Sequence, residues 1–315
     1  RPRPYERVVD VEGLLILPGL INAHDHLEFN SFPRLGRPQG YTNVYQWGEE
    51  ITRRHRPPVV DRVLRIPLRE RLLVGGYKNL RAGVTTVCHH GPYHPLFDEG
   101  FPVHVLRRYG WAHSLGFDNG VVASYRRTPP DVPWIIHLAE GTDAVARGEL
   151  ARLAALGCLG PNTVIVHGVA LTEADIARMA RCGAGLIWCP ASNLFLFGQT
   201  APIPRLRGQV TVALGSDSRL SGSEDLLAEL KVAHSLGVAD EEALFHMVTD
   251  EAARLLRIAD EVGTIEPGKR ADLLVLSGDV EAPYRSLVAA SHDDIRLVLL
   301  AGRPVFCPAT FQERP

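Results

Sequence analysis

The sequence predicts an α/β protein built around a parallel sheet, and three observations support this prediction. Short apolar runs alternate with amphipathic stretches through the middle of the chain, which is the pattern of strand–helix–strand units. Most of these apolar runs end in polar residues, as expected where parallel strands present chemistry at their carboxyl ends. After Ile258 the chain becomes turn-rich with short apolar runs, which predicts a separate β layer.

The elements follow in order from the apolar pattern. The first strand is predicted over 14–23, with a break at Pro18-Gly19. Further strands are predicted at 84–88, 134–136, 163–166, 185–188 and 210–214. Helices are predicted at 69–81, at 172–182 from a Thr172 cap to a Gly183 stop, from Ser223 to near Gly237, and over about 240–256. Residues 8–13 are expected to pair with the C-terminal β layer.

The composition is that of an ordinary globular protein. The chain has 315 residues, is 45% hydrophobic and 22% charged, and carries a formal net charge of −2. This balance argues against a nucleic-acid surface, and no run of about 18 apolar residues is present to span a bilayer. The five cysteines are scattered and odd in number, which predicts reduced thiols in a cytoplasmic protein.

Five polar side chains at four predicted strand ends are the main functional signal. His24 and His26 end the first strand, and the period of two along a strand places them on the same side. An isolated His-x-His is more often a pair of polar residues that opens a loop. Here, however, His137, His167 and Asp217 follow three other predicted strands. The sequence therefore predicts that these side chains form one site.

Three histidines and one carboxylate suit Zn²⁺ or Fe²⁺ with a position left for water. The metal would lower the pKa of that water and supply hydroxide as the nucleophile. Asp217 can serve both as a ligand and as the acceptor of the water proton. Glu140, three residues beyond His137, is expected to shuttle a proton to the leaving group. His167 is expected to polarise the group under attack.

Seven segments carry a resemblance to a known family. They are 18–26 (Pro-Gly-Leu-Ile-Asn-Ala-His-Asp-His), 83–87 (Gly-Val-Thr-Thr-Val), 137–140 (His-Leu-Ala-Glu), 166–168 (Val-His-Gly), 189–193 (Cys-Pro-Ala-Ser-Asn), 215–218 (Gly-Ser-Asp-Ser) and 266–273 (Glu-Pro-Gly-Lys-Arg-Ala-Asp-Leu). In this order they resemble the amidohydrolase superfamily, in its branch of cytosine, guanine and adenosine-type deaminases and triazine chlorohydrolases.

The resemblance implies a (β/α)₈ barrel with a small β-sandwich formed from both ends of the chain. It implies that His24, His26, His137 and Asp217 are the metal ligands, that Glu140 is the acid/base and that His167 is an electrophile beside the metal. The predicted division is 1–18 and 260–315 for the small β-sandwich and 19–259 for the barrel.

Two departures from the family pattern refine the prediction. Relatives with two metals use a carboxylated lysine on a middle strand as a bridge. Here Lys78 precedes the second strand, Lys231 lies in a predicted helix and Lys269 in a turn of the β layer, so none is placed to bridge metals. A single metal ion is therefore expected. The segment 88–134 is too short for two complete strand–helix units of the barrel, so the third and fourth units are expected to be shortened and the barrel distorted.

Substrate contacts are harder to predict from the sequence. Candidates in loops after the strands are Trp47, His89, His90, Asn193, Ser218 and Arg219. Five of the six have a plainer alternative: packing for Trp47, solvation for the two histidines, loop shaping for Asn193 and a surface salt bridge for Arg219.

The predicted function is hydrolytic deamination of an amino-substituted nitrogen heterocycle by a metal-bound hydroxide. The expected cofactor is one divalent ion, zinc first and iron second, and the partner is a small-molecule substrate. Hydrolysis of a cyclic amide or of a carbon–halogen bond uses the same metal and water and stays open. A barrel that binds a metal or ligand without turnover is the alternative of another class, and no basic patch supports a nucleic-acid module. The sequence leaves open whether the chain forms a homo-oligomer.

Overall fold

The computed structural model describes residues 10–98 and 100–307, whose strands form three sheets. The strands are β1 (Leu15–Pro18), β2 (Leu20–Asp25), β3 (Val84–His89), β4 (His104–Val105), β5 (Gly110–Ala112), β6 (Trp134–Leu138), β7 (Thr163–His167), β8 (Gly185–Trp188), β9 (Val212–Leu214), β10 (Leu273–Leu276), β11 (Ile295–Leu300) and β12 (Arg303–Phe306). The sheet orders are β2-β3-β4, β5-β6-β7-β8-β9 and β1-β10-β11-β12.

Twelve α-helices connect or flank these strands within the described residues. They are α1 (Val44–Glu50), α2 (Asp61–Leu64), α3 (Leu68–Arg81), α4 (Val121–Arg127), α5 (Ala144–Ala155), α6 (Glu173–Cys182), α7 (Pro190–Phe197), α8 (Ile203–Leu206), α9 (Leu226–Ser235), α10 (Glu241–Met247), α11 (Asp250–Leu255) and α12 (Pro283–Ala289). A wider π-type helical segment, Ile51–Val60, follows α1, and short 3₁₀ turns occur at Leu27–Phe29, Pro95–Phe97 and His292–Asp294. In this part of the chain, no helix combines the length and the apolar character needed to cross a bilayer.

Strands β2 to β9 form the wall of the barrel predicted from the sequence. Every residue of β2, β3 and β6 to β9 is buried. Strands covered on both faces read as near-continuous apolar runs, which explains why the sequence pattern located them. The two barrel sheets meet where the Asp217 amide donates to the carbonyl of His24 over 3.1 Å and the Ser216 amide donates to Asn22 Oδ1 over 3.0 Å.

The opposite side of the barrel is shortened, which confirms the predicted distortion. Strand β4 has two residues, β5 has three, and only residues 106–109 connect them. Because parallel neighbours need a crossover of about a dozen residues, this stretch has no room for a helix. Strand β4 pairs with β3, and strand β5 pairs with β6.

The separate β layer is the antiparallel sheet β1-β10-β11-β12. Its N-terminal strand differs from the prediction: β1 pairs with β10, with Leu15 opposite Leu276 and Pro18 opposite Leu273. The predicted pairing of residues 8–13 is wrong for residues 10–13, which form no strand, and Val8 and Val9 lie outside the described residues. The predicted strand 14–23 therefore divides at Gly19 between two sheets. A Cβ at Gly19 would lie 2.2 Å from Thr85 Cγ2, so the crossing needs glycine.

Helix boundaries follow local signals except where a distant contact intervenes. Thr172 caps α6 in a capping box, and Gly183 ends it in the left-handed region, as predicted. Helix α9 begins at Leu226 with Asp225 as its cap, rather than at Ser223. The single helix predicted over 240–256 is two helices, α10 and α11. The break coincides with a hydrogen bond of 2.8 Å from the Ile21 amide to the Val248 carbonyl.

Candidate active site

Four donor side chains converge at the carboxyl ends of β2, β6 and β9. His137 Nε2 lies 3.2 Å from His24 Nε2 and 3.3 Å from His26 Nε2. Asp217 Oδ1 lies 3.9 Å from each of His24 Nε2 and His26 Nε2. All four residues are buried, with at most 7% of their surface exposed.

These separations fit one divalent metal ion. Two nitrogens at about 2.0–2.1 Å from zinc and at a tetrahedral angle are about 3.3 Å apart, as His137 is from each of His24 and His26. Two bonds of about 2.1 Å reach at most about 4.2 Å, so the 3.9 Å to Asp217 Oδ1 also fits a common ion. Imidazole and carboxylate donors suit zinc or iron.

Hydrogen bonds behind the donors fix their orientation. His137 Nδ1 donates to the carbonyl of His113 over 2.8 Å, which leaves the Nε2 lone pair directed at the other donors. The Ser218 amide donates to Asp217 Oδ1 over 2.7 Å and Ser221 Oγ donates to Asp217 Oδ2 over 2.9 Å. Burial alone would raise the pKa of Asp217, but His26, His167, the Ser218 amide and the Ser192 side chain outweigh it, so the pKa is lowered.

Burial favours the neutral form of two of the donor histidines, His24 and His137, and metal binding requires that form. Burial is the largest cause that keeps the pKa of His24 well below its usual range, and His26 and His90 add to it. The pKa of His137 is lowered well below its usual value by burial first and then by His90 and His113.

Glu140 and His167 form a second buried pair beside the four donors. Glu140 Oε1 lies 3.5 Å from His167 Nε2, and the His167 ring centroid is 5.3 Å from that of His137. Burial, followed by the charges of Asp217 and Glu149, raises the pKa of Glu140 well above its usual value. Burial also lowers the pKa of His167. Both shifts favour the uncharged forms of the two groups over an ion pair.

Three residues at these strand ends adopt left-handed backbone conformations. Ala139, His167 and Asp217 have φ values of 53°, 74° and 52°. Such conformations are unfavourable for residues other than glycine and persist where the surrounding contacts impose them. Glu149 imposes one of them, because its Oε2 accepts the Ala139 amide over 2.7 Å.

A buried polar network lies behind β2 and the Asp217 loop. We call it the lysine network, and its members are Asn22, Asp25, Asn30, Lys78, Asn79 and Ser216. Lys78 Nζ lies 3.0 Å from Asp25 Oδ2 and donates to Asn30 Oδ1 over 2.8 Å. It also donates to the carbonyl of Asp217 over 3.1 Å. Lys78 thus ties the histidine strand to the aspartate loop.

Of the six candidate substrate contacts, Asn193 and Ser218 are hydrogen-bonded within the site itself. Asn193 Oδ1 accepts from His167 Nδ1 over 2.9 Å, and its Nδ2 donates to Thr200 Oγ1 over 3.2 Å. Ser218 uses its amide to hold Asp217. His90 lies among the donor histidines, with its ring centroid 4.2 Å from that of His137.

The other three candidates lie apart from the donors. His89 Nδ1 accepts the Leu27 amide over 3.4 Å, and its ring contacts Phe97. Trp47 packs against apolar side chains and donates its Nε1–H to the Leu35 carbonyl over 2.8 Å. Arg219 is exposed.

His113 is a site residue that the sequence did not single out. Its ring centroid lies 4.8 Å from that of His137 and 6.4 Å from that of His26, and it is only partly buried. Burial, then His26, lowers its pKa to about 4. It follows β5, whose three residues are too short to give a periodic signal. Only its position between two other recognisable segments could have pointed to it.

The barrel and its convergent donors define a metal-dependent hydrolase. The chain belongs to the amidohydrolase family, since the model of that family matches residues 130–305. A protein of Syntrophobacter fumaroxidans named 5-methylthioadenosine/S-adenosylhomocysteine deaminase is 27% identical over 366 aligned positions, which cover 95% of this chain and 82% of the relative. The alignment is longer than this chain, so the relative has residues that this chain lacks.

Two solved structures share the fold. An adenosine deaminase from Xanthomonas campestris with bound zinc superposes with a TM-score of 0.74 at 22% identity, covering 96% of this chain and 83% of the other. An atrazine chlorohydrolase from Arthrobacter aurescens complexed with zinc gives 0.75 at 18% identity, covering 96% and 86%. The family match and these likenesses together support a hydrolase built on this barrel.

Proposed function

We propose that this enzyme is a zinc-dependent deaminase of an amino-substituted nitrogen heterocycle, with aminopurines as the first substrate class to test. The observation that carries the proposal is the convergence of three histidine nitrogens and one carboxylate beside the buried Glu140–His167 pair. The deaminase name of the Syntrophobacter relative supports the choice of an amino group on a purine.

His24, His26, His137 and Asp217 would hold the single metal ion. When bound, a divalent ion lowers the pKa of a coordinated water toward neutrality and so supplies the nucleophile. Zinc is the ion proposed, because imidazole-rich sets with one carboxylate suit it. Lys78 supports a single ion, since its ammonium group is engaged with Asp25 and Asn30 and is not available as a bridge.

Glu140 is the proposed proton donor to the ring nitrogen of the substrate. A carboxyl group that burial keeps protonated can give up its proton as the amino-bearing carbon is attacked. Asp217 is the proposed acceptor of the water proton, because its lowered pKa keeps it ionised. Return of that proton to the leaving amine, with transfer of the remaining hydroxyl proton to Glu140, would release ammonia, leave the oxo product and restore the Glu140 carboxyl group.

His167 is the proposed hydrogen-bonding group beside the reacting carbon. Its Nδ1–H is committed to Asn193 Oδ1, which fixes the ring and directs Nε2 toward Glu140. Asn193 therefore acts through His167 rather than on the substrate. Glu149 acts in the same indirect way on Glu140, because it holds the strained Ala139 amide next to it.

We also propose that the enzyme works in the cytoplasm. Cys88, Cys158, Cys182 and Cys189 are free thiols in the structure, which supports a reducing compartment.

The test is ammonia release by the zinc-loaded protein from adenosine, 5′-methylthioadenosine, guanine and an aminated triazine. Ammonia from any of them at a rate that Glu140→Gln reduces at least 100-fold would support the proposal. A chlorinated triazine in the same panel tests the competing reaction. Chloride release without ammonia from any aminated compound would overturn deamination, and so would equal ammonia release by the wild type and Glu140→Gln.

A further inference from the structure

His90 is a buried histidine among the metal donors that the proposed reaction does not use. Its surface is 3% exposed. Its ring centroid lies 5.1 Å from that of His24 and 4.2 Å from that of His137. One ring nitrogen of each of His24, His90 and His137 lies within 4.8 Å of the others.

The hydrogen bond on one side of the His90 ring fixes its tautomer. His90 Nε2 lies 3.1 Å from the carbonyl of Ala112, which can only accept, so the proton is on Nε2. Nδ1 therefore carries a lone pair. That atom is buried and has no hydrogen-bond partner among the described residues.

His24 presents the complementary atom. Its Nε2 faces His137 and Asp217, so a metal at the four donors takes the Nε2 lone pair and leaves the proton on Nδ1. His24 Nδ1 is also buried and without a partner among the described residues. Metal-binding histidines almost always donate their second ring N–H to an acceptor. The two rings are nearly perpendicular, at 77°.

We propose that His90 is the positioning residue for the metal ligand His24. One ordered water accepts the His24 Nδ1–H and donates to His90 Nδ1, which satisfies both atoms and fixes the His24 ring. Buried waters typically bridge polar groups that otherwise lack partners. His137 has a direct counterpart of this arrangement, because its Nδ1 donates to the His113 carbonyl. The inference rests on the proposed metal site.

Two conservative substitutions separate the two nitrogens of His90. Asn places its side-chain oxygen near the position of Nδ1, so His90→Asn keeps the acceptor. Gln places its amide nitrogen near the position of Nε2, so His90→Gln keeps the donor to Ala112 and loses the acceptor. His94 lies in the same loop and caps the turn at Leu96, so His94→Gln is the matched control.

The experiment measures zinc affinity by chelator competition and the visible spectrum of the Co²⁺-substituted protein. We expect His90→Gln to weaken zinc binding about 10–100-fold and to change the Co²⁺ spectrum, whereas His90→Asn and His94→Gln stay close to wild type. Wild-type affinity in His90→Gln would overturn the inference, and so would equal losses in His90→Gln and His90→Asn. A wild type that binds no zinc would instead refute the proposed metal site.

A measurement on the wild type guards against variants that fail to fold. Long-range ¹H–¹⁵N NMR of the zinc-loaded, histidine-labelled protein reports which ring nitrogen carries the proton. We expect His90 protonated at Nε2 only and a slowly exchanging proton on His24 Nδ1. A proton on His90 Nδ1 would overturn the inference.

Discussion

Removing the Lys78 ammonium group tests the part of the structure that supports the metal donors. Lys78 and Asp25 are 3.0 Å apart, with side chains 7% and 0% exposed. Lys78→Met leaves the Asp25 carboxylate buried without its counter-charge, and loss of one partner of a buried ion pair costs about 3–5 kcal/mol. The remaining donors to Asp25, Asn30 Nδ2 and Asn79 Nδ2 at 2.8 Å each, compensate only in part.

Urea denaturation of the metal-free protein measures this cost. We expect Lys78→Met to lower the free energy of unfolding by about 3–5 kcal/mol, and Asp25→Asn/Lys78→Met to lower it by less than the sum of the single changes, with a coupling of about 1–3 kcal/mol. Lys231→Met, at an exposed position of α9, is the matched control and should change stability by less than about 0.5 kcal/mol. The reasoning would be refuted if each single variant lowered the free energy of unfolding by less than about 1 kcal/mol and the two losses simply added in the double variant.

Three further predictions follow from single contacts. Glu140→Gln should lower turnover about 10²–10⁴-fold and keep its zinc by elemental analysis; loss of the metal would contradict the role given to Glu140. Burial raises the pKa of Glu229 from 4.5 to about 8. Between these two pH values the folded protein holds a proton that the unfolded chain releases, so the stability of the wild type falls as the pH rises. Glu229→Gln should therefore gain stability relative to wild type by at most about 1.4 kcal/mol per pH unit between those values, and a pH-independent difference in urea titrations would exclude this. Gly75→Ala should destabilise the protein by about 1–3 kcal/mol, because the new Cβ would lie 2.4 Å from the Leu27 carbonyl oxygen. Gly148→Ala in α5 is the control, because a Cβ there meets nothing within 4 Å, and it should stabilise the protein by about 0.5–1 kcal/mol. A melting temperature higher for Gly75→Ala than for Gly148→Ala would refute both expectations.

The barrel strands were predictable because each is a buried apolar run with a polar residue at its end. His137 and His167 lie at the ends of β6 and β7 and Asp217 follows β9 closely, so the pattern of strand ends predicts that they meet. However, the spacing of these residues along the chain does not give the distances between their side chains in the fold. The separations of 3.2–3.9 Å arise from the closure of the barrel, and closure depends on contacts such as the Asp217 amide with the His24 carbonyl.

Two differences from the sequence prediction share a cause, which is competition from distant partners. The break between α10 and α11 coincides with the Val248 carbonyl accepting a hydrogen bond from Ile21 in β2. The break predicted at Pro18-Gly19 separates two sheets, because β1 finds its partner in β10, more than 250 residues away. Neither partner can be read from the local pattern.

The residues that support the site could not be predicted from the sequence either. Lys78 looks like an ordinary helix residue, and its role depends on Asp25 and the Asp217 carbonyl reaching the same point. His113 follows β5, a strand of three residues whose only paired strand within the described residues is β6. Glu149 and Glu229 sit on helices where a single buried carboxylate gives no periodic signal.

The zinc-to-chain ratio of loaded and dialysed protein tests the central claim most directly. Elemental analysis should give one zinc per chain for the wild type and far less than one for His137→Ala and for Asp217→Asn, with Lys231→Met unchanged. Two ions per chain, none, or a full complement retained in both ligand variants would contradict a single metal held by His24, His26, His137 and Asp217.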